Sequence, residues 1–396
     1  MSNNANVYVS FGDNDRALIV KCEITFDIPV SELSFSLSTL LTVDNIVSDK
    51  ELKWETTKKW KPQWQHESNE IEVSSKTPMQ KLIIEYHGRI AGWCNVIEEK
   101  KIALSAYSAW AINASLPIKY LFKINNMEDY FVINARYDTA EKMWVYGETE
   151  HDVCNIIALK KGYYHVANTG NLYFYYICEA EKEYADCYIS NYDSIMEYFT
   201  SIFGKKDINK MSVVSLGLDE SGGAYFRNEL MVICKIDVSE NKEKVRQSVI
   251  GLLGHELGHN WFTGANTSTW EDWLNETGAE WAGLLYILSL KDNELFNNHL
   301  SNLLSWNKNY TNMPVIKSLD GKRPAEGVHI RGVMMFREIY LKYGIDTIIT
   351  ILRIFLKLEK KTTEEFLSVL RVEIGNEIPD KIEQGLTMNE YSGLFA

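Results

Sequence analysis

The stretch HELGHNWF at residues 255–262 is followed by WEDWLNETGAEW at residues 270–281. His255 and His259 stand four residues apart in a run with helical character, so their side chains share one helix face. Two imidazoles in this arrangement can hold one zinc ion, and Glu256 beside them can take a proton from a metal-bound water. The spacing therefore predicts a zinc site with His255 and His259 as ligands and Glu256 as the general base.

A catalytic zinc ion has three protein ligands and one open position. Glu276 follows His259 by seventeen residues and lies near the start of the next amphipathic helix, off its apolar stripe. We therefore predict Glu276 as the third metal ligand. Glu280, one turn further along, can accept the second ring N–H of a zinc-bound histidine. A surface carboxylate is an equally good interpretation of Glu280.

The composition is typical of a soluble globular protein, with 45% hydrophobic and 24% charged residues in a chain of 396. The net charge of -13 repels phosphate backbones and anionic lipids, so we expect no nucleic acid and no membrane as partner. The six cysteines form no CxxC pair, and the first residues lack an apolar core. Free thiols in the cytoplasm are the expected state, and a secreted form without its leader is the alternative.

The pattern along the chain changes from strands to helices near residue 190. Residues 18–28 alternate apolar and polar side chains, and Pro29 is expected to end that strand. Later runs are assigned to strands at residues 118–124, 130–137 and 172–178, to a helix at 192–203, to a helix capped by Ser239, and to a polar mobile tail at 379–396. The predicted fold class is α+β, with an all-β domain at residues 1–188 and a mainly helical domain at residues 189–396.

The two quoted motifs resemble those of the gluzincin zinc peptidases of the aminopeptidase N and leukotriene-hydrolase type. That family has HExxH, a WF pair and then a WLNEGFAE-like helix. SIMEYFTSIFG at residues 194–204 and TTEEFLSVLRVEIG at residues 362–375 are similar to helices that open and close its catalytic domain. The resemblance implies a saddle- or sandwich-like β domain followed by a thermolysin-like catalytic domain. It also implies one Zn2+ per chain and a peptide substrate. The helical C-terminal domain of larger family members is expected to be absent, so the chain would be a short form of the family.

The resemblance fails at the residue that recognises the amine of the substrate. The family's GAMEN strand corresponds to residues 223–227, which read GAYFR, so Phe226 replaces the Glu that binds the free amino group. The backbone of Gly222, Gly223, Ala224 and Tyr225 still suits an edge strand that pairs with an extended peptide. Because the amine-reading charge is missing, the choice between an aminopeptidase and an endopeptidase or oligopeptidase stays open.

A second difference concerns the oxyanion. The family's YxKG run corresponds to HIRG at residues 329–332, so His329 replaces the tyrosine. An imidazole N–H can donate to a developing oxyanion as a phenol does, and we predict this role for His329. The alternative is that His329 is a passive residue of the pocket and that Tyr310 or another tyrosine donates to the oxyanion. Arg331 is predicted to bind a substrate carboxylate or to pair with a nearby Glu.

The leading hypothesis from the sequence is a zinc-dependent peptidase. A non-catalytic peptide-binding protein on the same scaffold is the alternative, because Phe226 and His329 both depart from the family pattern. His299 stands alone in the sequence and receives no role. The sequence does not define the side-chain preference or the oligomeric state.

Overall fold

The protein is described by a computed structural model that covers most of the chain. The described residues are 3–12, 17–61, 66–149, 155–206, 210–218, 223–227, 229–239, 241–267, 269–306, 315, 327–388 and 394. Strands occupy the first part and helices the second. The predicted α+β class, with N-terminal sheets followed by a helical part, is therefore confirmed.

The strands in the described part of the chain form three sheets. Their bounds are β1 Asn3–Phe11, β2 Leu18–Ser38, β3 Leu41–Ser48, β4 Leu52–Lys61, β5 His66–Gly88, β6 Val96–Ile97, β7 Lys101–Leu104, β8 Asn113–Ala114, β9 Ile118–Ile124, β10 Tyr130–Val132, β11 Arg136–Asp138, β12 Met143–Thr149, β13 Ile156–Lys160, β14 His165–Asn168, β15 Leu172–Tyr176, β16 Met211–Ser215, β17 Ala224–Arg227 and β18 Leu230–Ile233. Among the described residues, the largest sheet has the order β11-β12-β9-β1-β2-β5-β3, with β4 paired to β5 and β8 to β2. The other two have the orders β10-β13-β7-β6 and β14-β15-β16-β18-β17.

Strand β2 shows how the alternating pattern builds the core of the largest sheet. Val20, Cys22 and Ile24 are buried, as expected when alternate side chains of a strand point to one face. The prediction that Pro29 ends this strand is wrong, because β2 continues to Ser38. The pairing of β2 with β5 changes register between Thr25 and Val30, so Pro29 lies where the ladder does not need its missing N–H.

The helices follow the strands. Their bounds are α1 Lys182–Phe203, α2 Lys242–Gly258, α3 Trp273–Ser289, α4 Asn293–Trp306, α5 Gly327–Tyr343, α6 Ile345–Lys357, α7 Thr363–Ile374 and α8 Glu377–Thr387. Helix α1 begins ten residues before its predicted start, and α8 occupies much of the predicted tail. The cap of α2 is Asn241 rather than Ser239, because its side-chain oxygen accepts the N–H of Lys244 at 3.0 Å. Within the described residues, no helix combines the length and the apolar character needed to cross a membrane.

The chain forms two compact units, each built from segments that alternate along the sequence. The first contains Met1–Val166, Tyr173–Glu181 and Met211–Ile236, and the second contains Ala167–Leu172, Lys182–Lys210 and Asp237–Ala396. The chain therefore returns to the first unit after α1, when it forms β16, β17 and β18. The single boundary at residue 188 stays a prediction.

A disulfide joins Cys94 and Cys234 in the first unit, with Cα atoms 5.5 Å apart. The expectation of free thiols is therefore wrong for this pair, although it holds for Cys22, Cys178 and Cys187. Cys154 lies outside the described residues. The cytoplasm was expected partly because the cysteines were taken to be free, and disulfides persist mainly in oxidising compartments. That argument for the cytoplasm is lost, and the compartment stays a prediction.

We expect the double variant Cys94→Ser/Cys234→Ser to unfold at a lower temperature than the oxidised wild-type protein. A cross-link that closes a ring of this size stabilises the fold by about 4–5 kcal/mol through the entropy of the unfolded chain. Thermal unfolding without reductant measures the change, and Cys178→Ser, at an exposed free thiol, is the matched control. Alkylation of Cys94 and Cys234 in denatured, unreduced protein would show that the disulfide is absent.

Candidate metal centre

Helices α2 and α3 approach each other closely enough for their backbones to touch. A Cβ atom at Gly254 would lie 3.0 Å from the Cα of Gly283, and one at Gly258 would lie 2.7 Å from the carbonyl oxygen of Ala279. Glycine on α2 is required at both positions, because Cβ contacts under 3.0 Å are essentially never observed and those near 3.0 Å need a backbone shift. The contact brings the residues around position 255 of α2 against those around position 280 of α3.

The three predicted ligands converge across this helix pair. Their atoms all lie within 4.8 Å of one another. The Nε2 atoms of His255 and His259 are 3.2 Å apart, and they lie 3.5 and 3.7 Å from Oε2 of Glu276. A tetrahedral zinc ion with bonds of about 2.0–2.1 Å separates its ligand atoms by about 3.3–3.4 Å. The three side chains therefore already have the spacing of a tetrahedral site.

The hydrogen bonds of the two histidines direct their Nε2 atoms into the cluster. Nδ1 of His255 lies 2.8 Å from Oε2 of Glu280, and Nδ1 of His259 lies 3.3 Å from the carbonyl oxygen of Phe262. Because a carboxylate and a carbonyl only accept, each histidine donates from Nδ1, and a neutral ring then presents a lone pair at Nε2. Two neutral rings and the Glu276 carboxylate would direct three electron-pair donors at one point, which fits a bound zinc ion.

The electrostatics of the cluster also favour positive charge. Burial disfavours a charged His255, but the hydrogen bond and charge of Glu280 and the charges of Glu256 and Glu276 outweigh it and raise the pKa of His255 to about 10. Burial likewise opposes ionisation of Glu276, yet the charges of His329 and His259 hold its pKa well below the usual range. The pKa of Glu280 is lowered despite burial, through the charge of His299 and the hydrogen bond from His255.

Glu256 is buried on α2, next to His255. Its charge contributes to the raised pKa of His255. It also acts on Tyr188 of α1, whose pKa is raised first by burial and then by the Glu256 carboxylate. The carboxylate predicted as general base is therefore buried beside the three predicted ligands.

His329 lies in the first turn of α5, and its Nδ1 is 3.0 Å from Oε2 of Glu276. Its side chain is 42% exposed, against 13–19% for the three predicted metal ligands. The structure therefore brings His329 beside the cluster, and its role at the oxyanion stays a prediction. Tyr310, the alternative donor, lies outside the described residues.

Arg331 is in a different environment from the one expected of a substrate-binding residue. It is fully buried on α5, and its guanidinium donates to the carbonyl oxygens of Gly385, at 3.0 Å, and Met388 at the end of α8. Carbonyls at a helix C-terminus favour a cation, so this side chain holds α8 against α5. A substrate role for Arg331 stays a prediction that these contacts do not support.

The predicted substrate strand, β17, belongs to the first unit. Strand β17 pairs with β18 and ends its sheet among the described strands. Tyr225 packs against Trp93 and Tyr107, and Phe226 is buried. Gly223 lies under Trp93, where a Cβ would be 3.1 Å from the indole nitrogen. Ala224 opens the strand, and Gly222 lies outside the described residues.

His299 is a residue of this site that the sequence analysis missed. Its Nε2 lies 2.6 Å from Oε1 of Glu280, whose other oxygen contacts His255. No motif links His299 to the two quoted stretches. The available signal is Gly251, one helical turn before His255, because it leaves space on α2 for the ring of His299.

Comparison with known proteins shows similarity in structure alone. No family model matches the sequence, and no curated protein matches it. Leukotriene A4 hydrolase of Saccharomyces cerevisiae is similar with a TM-score of 0.67 at 12% identity, over 97% of this chain and 67% of that one. The yeast enzyme in complex with bestatin is similar with a TM-score of 0.69 at 14% identity and the same coverage.

A third similar structure is a mutant M1 zinc metallopeptidase of Deinococcus radiodurans bound to a Tyr-Ser-Ala substrate. Its TM-score is 0.61 at 13% identity, over 100% of this chain and 95% of that one. The chain thus has the fold of the M1 zinc metallopeptidases. Among these proteins, it resembles the yeast leukotriene hydrolase and the bacterial enzyme in overall architecture.

We expect the purified protein to bind one zinc ion and the variant Glu276→Gln to bind it much more weakly. The amide replaces an anionic oxygen by a neutral one where two neutral imidazoles already supply the other ligands. Metal analysis and competition with a chelator measure both quantities. Glu294→Gln, at an exposed glutamate of α4, is the matched control. Equal zinc affinity of Glu276→Gln and the wild-type protein would remove Glu276 from the ligand set.

Proposed function

We propose that this protein is a zinc-dependent peptidase in which His255, His259 and Glu276 hold the metal and Glu256 is the general base. The observation that carries the proposal is the convergence of three electron-rich atoms beside a buried carboxylate. The fold supports it, because structures of this fold include one with a peptide substrate and one with bestatin. A peptide is therefore the proposed substrate.

Glu256 moves the proton in the proposed reaction. When bound, zinc supplies a Lewis acid that polarises the scissile carbonyl and makes its water acidic. Glu256 takes the proton of that water and later delivers it to the leaving amine. Its burial keeps the carboxylate away from bulk solvent, so the proton stays within the site.

Two further side chains orient the reaction. Glu280 accepts from Nδ1 of His255 and so keeps the Nε2 lone pair directed into the cluster. His329 carries an exposed imidazole whose Nδ1 contacts Glu276, and we assign the Nε2–H of its charged form to the oxyanion that forms on the carbonyl. Donors of this kind stabilise the transition state more than the ground state.

Strand β17 is the proposed binding edge for the peptide backbone. It pairs with β18, and no further strand of the described residues pairs with it. An extended peptide can add to such an edge through main-chain hydrogen bonds. Phe226 is apolar and buried on this strand, so it offers no carboxylate to an ammonium group. We therefore infer that a blocked peptide is accepted, as by an endopeptidase or oligopeptidase.

We expect Glu256→Gln to retain zinc but lose cleavage of a peptide library, since the amide cannot accept the proton of the water. His329→Phe is expected to lower kcat by about 100- to 1,000-fold, the usual effect of removing one oxyanion donor. Digests read by mass spectrometry, with zinc content measured on the same samples, check both variants. Full cleavage by Glu256→Gln would remove Glu256 from its role.

Wild-type protein that binds zinc and cuts no library peptide would favour the non-catalytic alternative, which Phe226 and His329 motivate.

We expect one peptide to be cut with similar kcat/KM whether its amino terminus is free or acetylated. A charged hydrogen bond to the terminal amine is worth about 1.5–3 kcal/mol, so an enzyme that uses one discriminates by at least about tenfold. Paired kinetics on the two forms measure the ratio. Cleavage of the free amine alone would contradict the inference drawn from Phe226.

A further inference from the structure

Helix α4 contributes a histidine to the surroundings of the metal cluster. The ring of His299 is largely buried, and its Nε2 lies 2.6 Å from Oε1 of Glu280. The other oxygen of that carboxylate, Oε2, lies 2.8 Å from Nδ1 of His255. Glu280 therefore bridges two imidazoles with its two oxygens, and it is itself 7% exposed at the side chain.

The place of His299 is fixed by a second, independent feature. A Cβ atom at Gly251 would lie 2.5 Å from Cε1 and from Nδ1 of His299, so the ring fills the space beside a residue that has no side chain. The ring is thus held between the backbone of α2 and the carboxylate of Glu280. Glycine in the middle of a helix lowers the stability of the fold by about 0.5–1 kcal/mol relative to alanine. We therefore expect the contact between Gly251 and His299 to serve a structural or functional role.

The direction of each hydrogen bond follows from the acceptors. A carboxylate oxygen accepts, so Nε2 of His299 and Nδ1 of His255 both donate to Glu280. Without His299, one oxygen of a buried carboxylate would lose its donor and the group could turn away from His255. The tautomer and the direction of His255 would then be less well defined.

We propose that His299 is a positioning residue for the metal ligand His255 and that it acts through Glu280. The chain His299–Glu280–His255 connects α4 to the metal cluster by way of α3 and α2. This inference rests on the proposed zinc site, and it extends that site to a residue that does not touch the metal. A histidine that only packs α4 against α2 would affect stability and leave zinc affinity unchanged.

The test compares zinc affinity and apo-protein stability in a set of variants. His299→Leu keeps the bulk but cannot donate, and it is expected to weaken zinc binding by about 10- to 100-fold. His299→Gln carries an amide N–H at a similar reach, so its zinc affinity is expected to stay within about threefold of wild type. Phe296→Leu is the control on the same helix, since it removes buried contacts with Tyr340 and leaves Glu280 untouched.

Chelator competition gives the zinc Kd, and thermal unfolding of the metal-free protein gives the stability of each variant. The absorption spectrum of the cobalt-loaded protein gives a readout of ligand geometry, and we expect it to change in His299→Leu but not in Phe296→Leu. If His299→Leu does not fold, His299→Asn, whose shorter amide does not reach Glu280, is expected to bind zinc more weakly than His299→Gln.

A zinc Kd of His299→Leu within twofold of wild type would overturn the positioning role while leaving the metal site in place. Equal zinc affinities of His299→Asn and His299→Gln would do the same. Wild-type protein without zinc affinity would instead remove the metal site, and the inference with it. The two failures are therefore distinguishable.

Discussion

Helices α2 and α3 touch through their backbones at Gly254 and Gly283, and this contact sets the distance between the histidines of one helix and the carboxylates of the other. The ligand atoms lie 3.2–3.7 Å apart, so a shift of a few tenths of an ångström between the helices would already change the site. Protein interiors are close-packed, and a methyl group inserted at this contact has no free space to occupy. The absence of two side chains thus determines where the reactive ones meet.

The same contact concentrates negative charge in a buried space. Glu256 and Glu280 are buried close to Glu276, and burial alone would drive such carboxylates toward their neutral forms. The surrounding histidines counter this effect, since the charges of His329 and His299 are the largest contributions that favour the ionised forms of Glu276 and Glu280. A cation bound at such a site would stabilise the folded state, so the proposed metal binding and stability would be coupled.

The convergence of His255, His259 and Glu276 can be predicted from the sequence because its geometry is local, and their role as metal ligands stays a prediction. Spacings of four residues within a helix place His255 with His259 and Glu276 with Glu280, and one helix pairing then brings the two pairs together. His299 and the Cys94–Cys234 disulfide were missed, because each depends on contacts between elements with no fixed spacing in the chain. The substrate role predicted for Arg331 assumes an exposed side chain, but the structure buries it. A single sequence does not show whether an arginine is buried or exposed.

The alternation of apolar and polar residues predicts the first half of β2. The predicted strand ends too early, at Pro29, whereas β2 continues to Ser38. A proline ends a strand only if the ladder needs its N–H, and the register change around it removes that need. Strand ends are therefore decided by the partner strand, which a single sequence does not display.

The interleaving of the two compact units has a consequence for synthesis. The first unit is complete only at Ile236, after α1 of the second unit has already been made. During translation, a chain that has reached α1 therefore still lacks β16, β17 and β18, and Cys94 still lacks its partner. For that period the newborn chain carries an unfinished sheet and a thiol that has not yet formed its disulfide, which are the features that chaperones and thiol oxidoreductases engage.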